Sequence, residues 1–218
     1  YPSVGDAVRV SGAVAEYNGI TEIVLSANAE TLGAGGDILT TSIEMPFDES
    51  VNLESLEGMQ VQFQQTLNVT DVYNLGRYGQ FNVSSGRLMI PTNQYAAGSS
   101  EAIALAEANA RNTLLVDDGS SAQNADDIPF PVGGLSHANP LRLGDSVEGL
   151  EGVMHYAFGA YNLIPVGALQ TVRTNPRTDV PQLDVQGDVK VASFNVLNYF
   201  NGPNFPTSRG ADSEDEFS

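Results

Sequence analysis

Apolar and polar residues alternate with a period of two along two similar stretches of the chain. The first stretch covers residues 5–14 and reaches a turn at 17–19, and the second covers residues 144–153 and reaches a turn at 158–159. A weaker copy of the same pattern runs from Gly58 to Tyr73. Period-two alternation predicts strands with one buried face, and glycine favours turns and bends. Each copy is therefore predicted to form a strand, a turn and a returning strand.

Between the weaker copy and the copy that begins at residue 144, the pattern predicts more strands and a single helix. Short apolar runs predict strands at residues 80–83, 87–90 and 113–116. The helix is expected from about Ser100 to Asn112, capped by Ser99 or Ser100, with Glu101 in its first turn. This order of elements within roughly a hundred residues is the layout of an oligonucleotide/oligosaccharide-binding (OB) barrel. The predicted fold class is mainly β, with one or more OB-like barrels and one short helix.

The chain divides into four segments at the sequence level. Residues 1–55 are predicted to be a partial OB-like sheet, either the closing strands of a preceding barrel or an edge sheet packed on the next one. Residues 56–170 are predicted to form an OB-like barrel, and 171–187, with two prolines, a linker. Residues 188–218 begin with a nearly continuous apolar run that is typical of the first strand of a layered α/β domain. Because few residues follow this run, we expect that domain to be truncated and the chain to be a piece of a longer protein.

The net charge and the absence of cysteine exclude several classes of function for this protein. Nine basic and 27 acidic residues give a net charge of −18, which argues against binding nucleic acid by bulk electrostatics but leaves room for a small basic site. The absence of cysteine excludes disulfides, thiolate metal sites and a cysteine nucleophile, and it suits an oxidising, extracellular medium. No apolar run approaches the roughly 20 residues of a membrane helix, so no membrane partner is expected.

The run from Val191 to Phe200, VASFNVLNYF, resembles the opening strand of the endonuclease/exonuclease/phosphatase superfamily. More closely, the chain resembles large secreted bacterial nucleases that place OB-like modules before that domain. Further phrases that fit this resemblance lie at residues 5–19, 74–79, 86–92, 115–119, 158–161 and 205–210. The resemblance therefore extends over nearly the whole chain.

The resemblance implies a role for Asn195, which in the intact parent protein would help to bind the divalent metal, Mg²⁺, and the phosphate. The superfamily's other metal-binding and catalytic residues come later in the domain, and no histidine follows His155 here. Phosphodiester hydrolysis needs a metal, an activated water and an acid or base held together, so this piece alone is expected to be inactive and to bind no Mg²⁺. The implied function is the accessory region of a secreted, metal-dependent nuclease acting on DNA, with a substrate-guiding or scaffolding role. The alternative is an extracellular β-barrel scaffold or adhesion module without nucleic-acid contact.

Aromatic and basic residues that could contact nucleic acid cluster in one window of the sequence. Single-stranded nucleic acid is held by bases stacked on aromatic rings beside a few cations. The candidate residues are Tyr73, Arg77, Tyr78, Phe81 and Arg87. In the alternative interpretation, the aromatic rings pack the barrel and the arginines lie on turns.

An acidic loop has the composition of a calcium site. Asp117, Asp118, Asp126 and Asp127 supply the oxygen ligands that Ca²⁺ prefers, although their spacing does not match an EF-hand, and a solvated acidic loop is the alternative. Exposed strand edges in residues 1–55 also make self-association a possible mode of assembly.

Overall fold

The computed structural model describes residues 2–176, 178 and 186–193. Its contacts divide the chain into two units, Tyr1–Pro176 and Arg177–Ser218. Every described helix and strand lies in the first unit, and the boundary falls inside the predicted linker. Residues 189–193 are exposed and form no strand. The remainder of the strand predicted after the linker, with Asn195, lies outside the described residues.

The first four strands form one bent antiparallel hairpin, residues 5–34, which we call the N-terminal hairpin. Its strands are β1 (Asp6–Arg9), β2 (Gly12–Tyr17), β3 (Ile20–Leu25) and β4 (Glu30–Ala34). Strand β1 pairs with β4, and β2 pairs with β3. Asn18 and Gly19 connect β2 to β3 with positive φ angles of 52° and 84°, the conformation of a two-residue hairpin turn.

Nine further strands form one sheet. They are β5 (Thr41–Ser42), β6 (Gln60–Gln62), β7 (Leu67–Asp71), β8 (Phe81–Ser84), β9 (Leu114–Val116), β10 (Ser146–Glu148), β11 (Glu151–Ala157), β12 (Ala160–Pro165) and β13 (Gln170–Val172). The strand order is β13-β10-β7-β8-β9-β12-β11-β6-β5. The β5–β6 and β9–β12 pairs are parallel, and the other pairs are antiparallel. Strands β6 and β7 are consecutive in the chain but lie far apart in this order, as do β10 and β11, so the sheet curls into an open half-barrel.

Alternate residues of these strands fill the inside of the curled sheet. The largest side chains with less than 2% exposure are Phe63, Phe81, Leu67, Leu114, Leu150, Met154, Leu163, Val61, Val69, Val83, Val116 and Val147. Phe130, from the long segment between β9 and β10, packs edge-on against Phe81 with the ring centres 5.4 Å apart. Burial of this apolar surface is the main favourable contribution to the folding of the first unit.

Helices connect strands of the sheet. They are α1 (Leu75–Tyr78), α2 (Pro91–Gln94) and α3 (Ser100–Arg111), with a 3-10 turn at Leu53–Leu56. Helix α3 confirms the helix predicted at about 100–112. The Ser99 hydroxyl oxygen accepts a hydrogen bond from the Ala102 N–H at 3.2 Å, which satisfies one of the free N–H groups of the first turn.

The prediction of a strand at residues 87–90 is wrong. Both edges of β8, the preceding strand, are already occupied by β7 and β9. Residues 87–90 therefore find no strand partner there, and they form an irregular segment that leads into α2. Pro91 is the first residue of that helix, a position at which proline loses no helical hydrogen bond.

The mainly β class with few helices is confirmed, whereas the OB-like assignment stays a prediction. Two of the three sequence copies fold alike. Residues 144–172 form a second bent hairpin, the C-terminal hairpin, from β10, β11, β12 and β13. The weaker copy folds differently, because its strands β6 and β7 belong to distant parts of the sheet order.

Candidate nucleic-acid interface

A cleft of about 600 Å³ lies where β9, β11 and β12 meet the loop that follows β9. We call it the outer cleft. Several of its strand residues, such as Leu115 and His155, alternate with buried core residues such as Leu114 and Met154, so they point away from the core. The cleft is lined by Tyr78, Gln80, Leu115, Asp117, Gly119, Ser120, Ser121, Gln123, His155, Ala157, Phe158, Ala160, Asn162 and Ile164.

Helix α1 places Tyr78 at this cleft and Arg77 beside it. Leu75 is buried at 3% exposure and fixes the helix to the core. Gly79 ends the helix with a left-handed φ of 67°, and a Cβ atom there would lie 2.1 Å from Oδ2 of Asp118. The glycine therefore allows the loop after β9 to approach the end of the helix.

Arg77 is held by contacts on both its side chain and its backbone. Its guanidinium carbon lies 5.0 Å from the centre of the Tyr78 ring, within the range of a cation–π interaction. Its Nη2 atom donates a hydrogen bond to Oε1 of Gln123 at 3.2 Å, and its carbonyl oxygen accepts one from the Asn124 N–H at 2.8 Å. The pair of Arg77 and Tyr78 thus offers a cation and an aromatic ring at one edge of the cleft.

The other three predicted contact residues do not join this pair at the cleft. Tyr73 is 92% exposed and lies outside the cleft lining. Phe81 is 1% exposed and packs on Phe130, so its ring belongs to the core and is no part of a surface. Arg87 is exposed, but it lines a separate depression of about 680 Å³. The structure therefore brings together only Arg77 and Tyr78 from the predicted set.

The carboxylates at the outer cleft are engaged by neighbouring groups. Asp117 accepts hydrogen bonds from Nε2 of Gln80 and, at 2.7 Å, from the Gly119 N–H. Asp118 accepts one from the Ser120 N–H at 2.8 Å. No lysine or arginine is among the described residues that line the cleft. The described lining therefore contains one carboxylate, Asp117, among mostly apolar and neutral side chains, and the Arg77 guanidinium lies at the edge of the cleft.

The acidic residues predicted to bind Ca²⁺ do not converge in the described part of the chain. Asp126 and Asp127 are exposed, while Asp117 and Asp118 take part in the turn described above. Within residues 2–176, 178 and 186–193, no group of three or more histidine or acidic side chains is arranged to hold a metal ion. The calcium site stays a prediction of the sequence.

Sequence reasoning missed Asn162, which is 2% exposed and lines the cleft. Its Oδ1 atom is buried without a hydrogen-bond partner, which is uncommon and costs free energy in a folded protein. Strand pairing places Asn162 between Leu115 of β9 and His155 of β11. The sequence feature that could have identified Asn162 is a single amide side chain within the apolar run of β12. Phe158, which also lines the cleft, is fully exposed at the β11–β12 turn.

Two tyrosines next to the C-terminal hairpin turn have a structural role. The Tyr156 and Tyr161 rings lie 4.8 Å apart, and the Tyr161 hydroxyl donates a hydrogen bond to Oε2 of Glu54. This hydrogen bond to the carboxylate, with a smaller effect of burial, raises the pKa of Tyr161 to about 12. The turn of the N-terminal hairpin rests on Tyr156, since a Cβ atom on Gly19 would lie 2.4 Å from that ring.

Comparison with known proteins gives one match. The model of the family described as "Domain of unknown function (DUF8508)" matches residues 51–175. No curated protein and no solved structure matches the chain. Among the described residues, no helix has the length and apolar character needed to cross a membrane.

Proposed function

The chain belongs to the family described as Domain of unknown function (DUF8508), and from this premise we propose that it is the accessory region of an extracellular, metal-dependent nuclease. In this proposal the mainly β unit guides single-stranded DNA toward a catalytic domain that contains Asn195 and its Mg²⁺. The observation that supports it is the Arg77–Tyr78 pair at the edge of the outer cleft.

The chemistry of this pair suits a single strand. An unpaired base can stack on the Tyr78 ring, while the Arg77 guanidinium meets the adjacent phosphate. The exposed ring of Phe158, which also lines the cleft, offers a second stacking surface. With one identified cation and a net charge of −18, binding would be weak, and one phosphate contact would lower the affinity only about threefold between 50 and 200 mM salt.

The test is fluorescence anisotropy of a labelled oligothymidine with the full chain, at low and high salt and with Mg²⁺ or Ca²⁺ present. We expect salt-sensitive binding that is lost when Arg77→Ala and Tyr78→Ala are combined. The matched control combines Arg9→Ala with Tyr17→Ala, which removes the same residue types from the N-terminal hairpin. Absence of binding, or equal loss in both double variants, would reject the substrate-guiding role.

A second candidate is an extracellular scaffold or adhesion module without nucleic-acid contact. The described lining of the cleft contains the Asp117 carboxylate and no lysine or arginine, which favours this function because a carboxylate repels phosphate. The same titration distinguishes the two candidates, since the scaffold module predicts no binding at any salt concentration.

A further inference from the structure

The inner strand pair of the two bent hairpins, β2–β3 in one and β11–β12 in the other, has the same backbone register, residue for residue. In the N-terminal hairpin, Val14 pairs with Ile23 across β2 and β3. In the C-terminal hairpin, Met154 pairs with Leu163 across β11 and β12. Both members of the second pair stand 140 positions after those of the first, since 154 − 14 and 163 − 23 are equal.

The local geometry repeats as well. Gly12 and Gly152 both lie where a Cβ atom would meet the facing strand, at 2.2 Å from the Val24 carbonyl oxygen and 2.4 Å from that of Ile164. A matching turn precedes each hairpin. The Asp6 carboxylate accepts a hydrogen bond from the Ser3 N–H at 2.8 Å, and the Asp145 carboxylate accepts one from the Arg142 N–H at 2.9 Å.

The hairpins differ in what covers their apolar face. The side chains of Val147, Met154 and Leu163 have no exposed surface. Their equivalents in the N-terminal hairpin, Val8, Val14 and Ile23, are 43%, 73% and 50% exposed. The same apolar positions are thus fully covered in one copy and open in the other.

Strand addition covers the C-terminal copy. One continuous segment of the chain, residues 60–71, supplies β6 and β7, which pair with β11 and β10. Strand β9 pairs with the other side of the hairpin, at β12. Among the described residues, the N-terminal hairpin has no such strands, and each of its two sheets is only two-stranded.

We propose that the N-terminal hairpin is an acceptor for strand addition, and that its partner is a polypeptide segment with the alternating apolar pattern of residues 60–71. The partner segment pairs with the free edges of β1 and β2, and its apolar side chains cover Val8, Val14 and Ile23. Backbone hydrogen bonds provide affinity in this mode of recognition, and alternate side chains provide specificity. This proposal does not depend on nucleic-acid binding.

The test uses a fluorescent peptide with the sequence of residues 58–72, titrated with the full chain. The chain's own copy of this segment stays in place in the main sheet, so the peptide has the N-terminal hairpin as its acceptor. We expect saturable binding at one peptide per chain. Ile23→Lys, on the apolar face, is expected to weaken binding at least about tenfold, or about 1.4 kcal/mol. Val24→Lys is the matched control, because Val24 is similarly exposed at 53% but points to the opposite face.

Each outcome decides the proposal. Saturable binding that Ile23→Lys weakens and Val24→Lys leaves within about twofold supports it. No saturable binding overturns it, and so does an equal effect of the two lysine variants. Light scattering of the chain alone provides a further check. A dimer that forms without peptide and is lost in Ile23→Lys would assign this face to a second copy of the chain and overturn strand addition by another segment.

Discussion

Truncation of Leu163 and of Ile23, its equivalent in the N-terminal hairpin, measures how completely each hairpin is covered. Leu163 has no exposed surface, so Leu163→Ala removes buried methyl groups and leaves a cavity, at a cost of about 2–5 kcal/mol. Ile23 is 50% exposed. Full burial of an isoleucine side chain contributes about 1.5–3 kcal/mol to the free energy of unfolding. Because only half of the Ile23 side chain is buried, Ile23→Ala is expected to lower the free energy of unfolding by about 1 kcal/mol.

Urea unfolding followed by circular dichroism provides the comparison. We take the free energy of unfolding to fall by about 2 kcal/mol per molar urea. The Leu163→Ala variant, which loses about 3 kcal/mol of stability, is then expected to have a midpoint about 1.5 M lower than the unsubstituted chain. The Ile23→Ala variant is expected to shift the midpoint by no more than about 0.5 M. Equal shifts would refute the reasoning, because they would mean that the apolar face of the N-terminal hairpin is already covered in solution.

Four further substitutions test the core, an exposed site, one ionisable group and one helix cap. Phe81→Ala is expected to cost about 3–5 kcal/mol in urea unfolding, whereas Tyr73→Ala, at an exposed site, changes stability by less than about 0.5 kcal/mol. The pKa of Tyr161 rises to about 12 on folding, so its hydrogen bond to Glu54 stabilises the fold fully below about pH 10 and is lost as the pH rises from about 10 to 12. Thermal melts across that window should show a smaller alkaline loss in Tyr161→Phe than in the parent chain. Ser99→Ala removes the cap of α3 and is expected to cost about 1 kcal/mol, measured by urea unfolding.

The elements that the sequence predicted correctly depend on local patterns. Helix α3 follows from the Ser99 cap and the alanine-rich run after it, since capping and helix propensity act within a few residues. The two strong hairpin copies follow from period-two alternation and the glycine of each turn. The apolar run at residues 87–90 has the composition of a strand, but whether it forms one depends on a free sheet edge, and no local pattern contains that information.

The candidate site was only partly predictable for the same reason. Arg77 and Tyr78 are neighbours in sequence, so the sequence alone predicts that they lie close together. The burial of Phe81 depends on Phe130, about fifty residues later. The position of Asn162 depends on strands that begin at Leu114 and Glu151. Composition identifies an aromatic or amide side chain, whereas only the pairing of distant strands determines which side of the sheet it occupies.

The strand order also determines when the sheet can close during synthesis. Gln62 of β6 pairs with Glu151 of β11, so the partner of β6 is synthesised 89 residues after it. At about 5–20 residues per second this delay lasts about 4–18 s. The turn between β2 and β3 joins neighbours instead, and such a hairpin forms within about 1–10 μs. The apolar residues of β6, β7 and β8 are therefore made seconds before their covering strands, and this interval is when the nascent chain is most prone to aggregate.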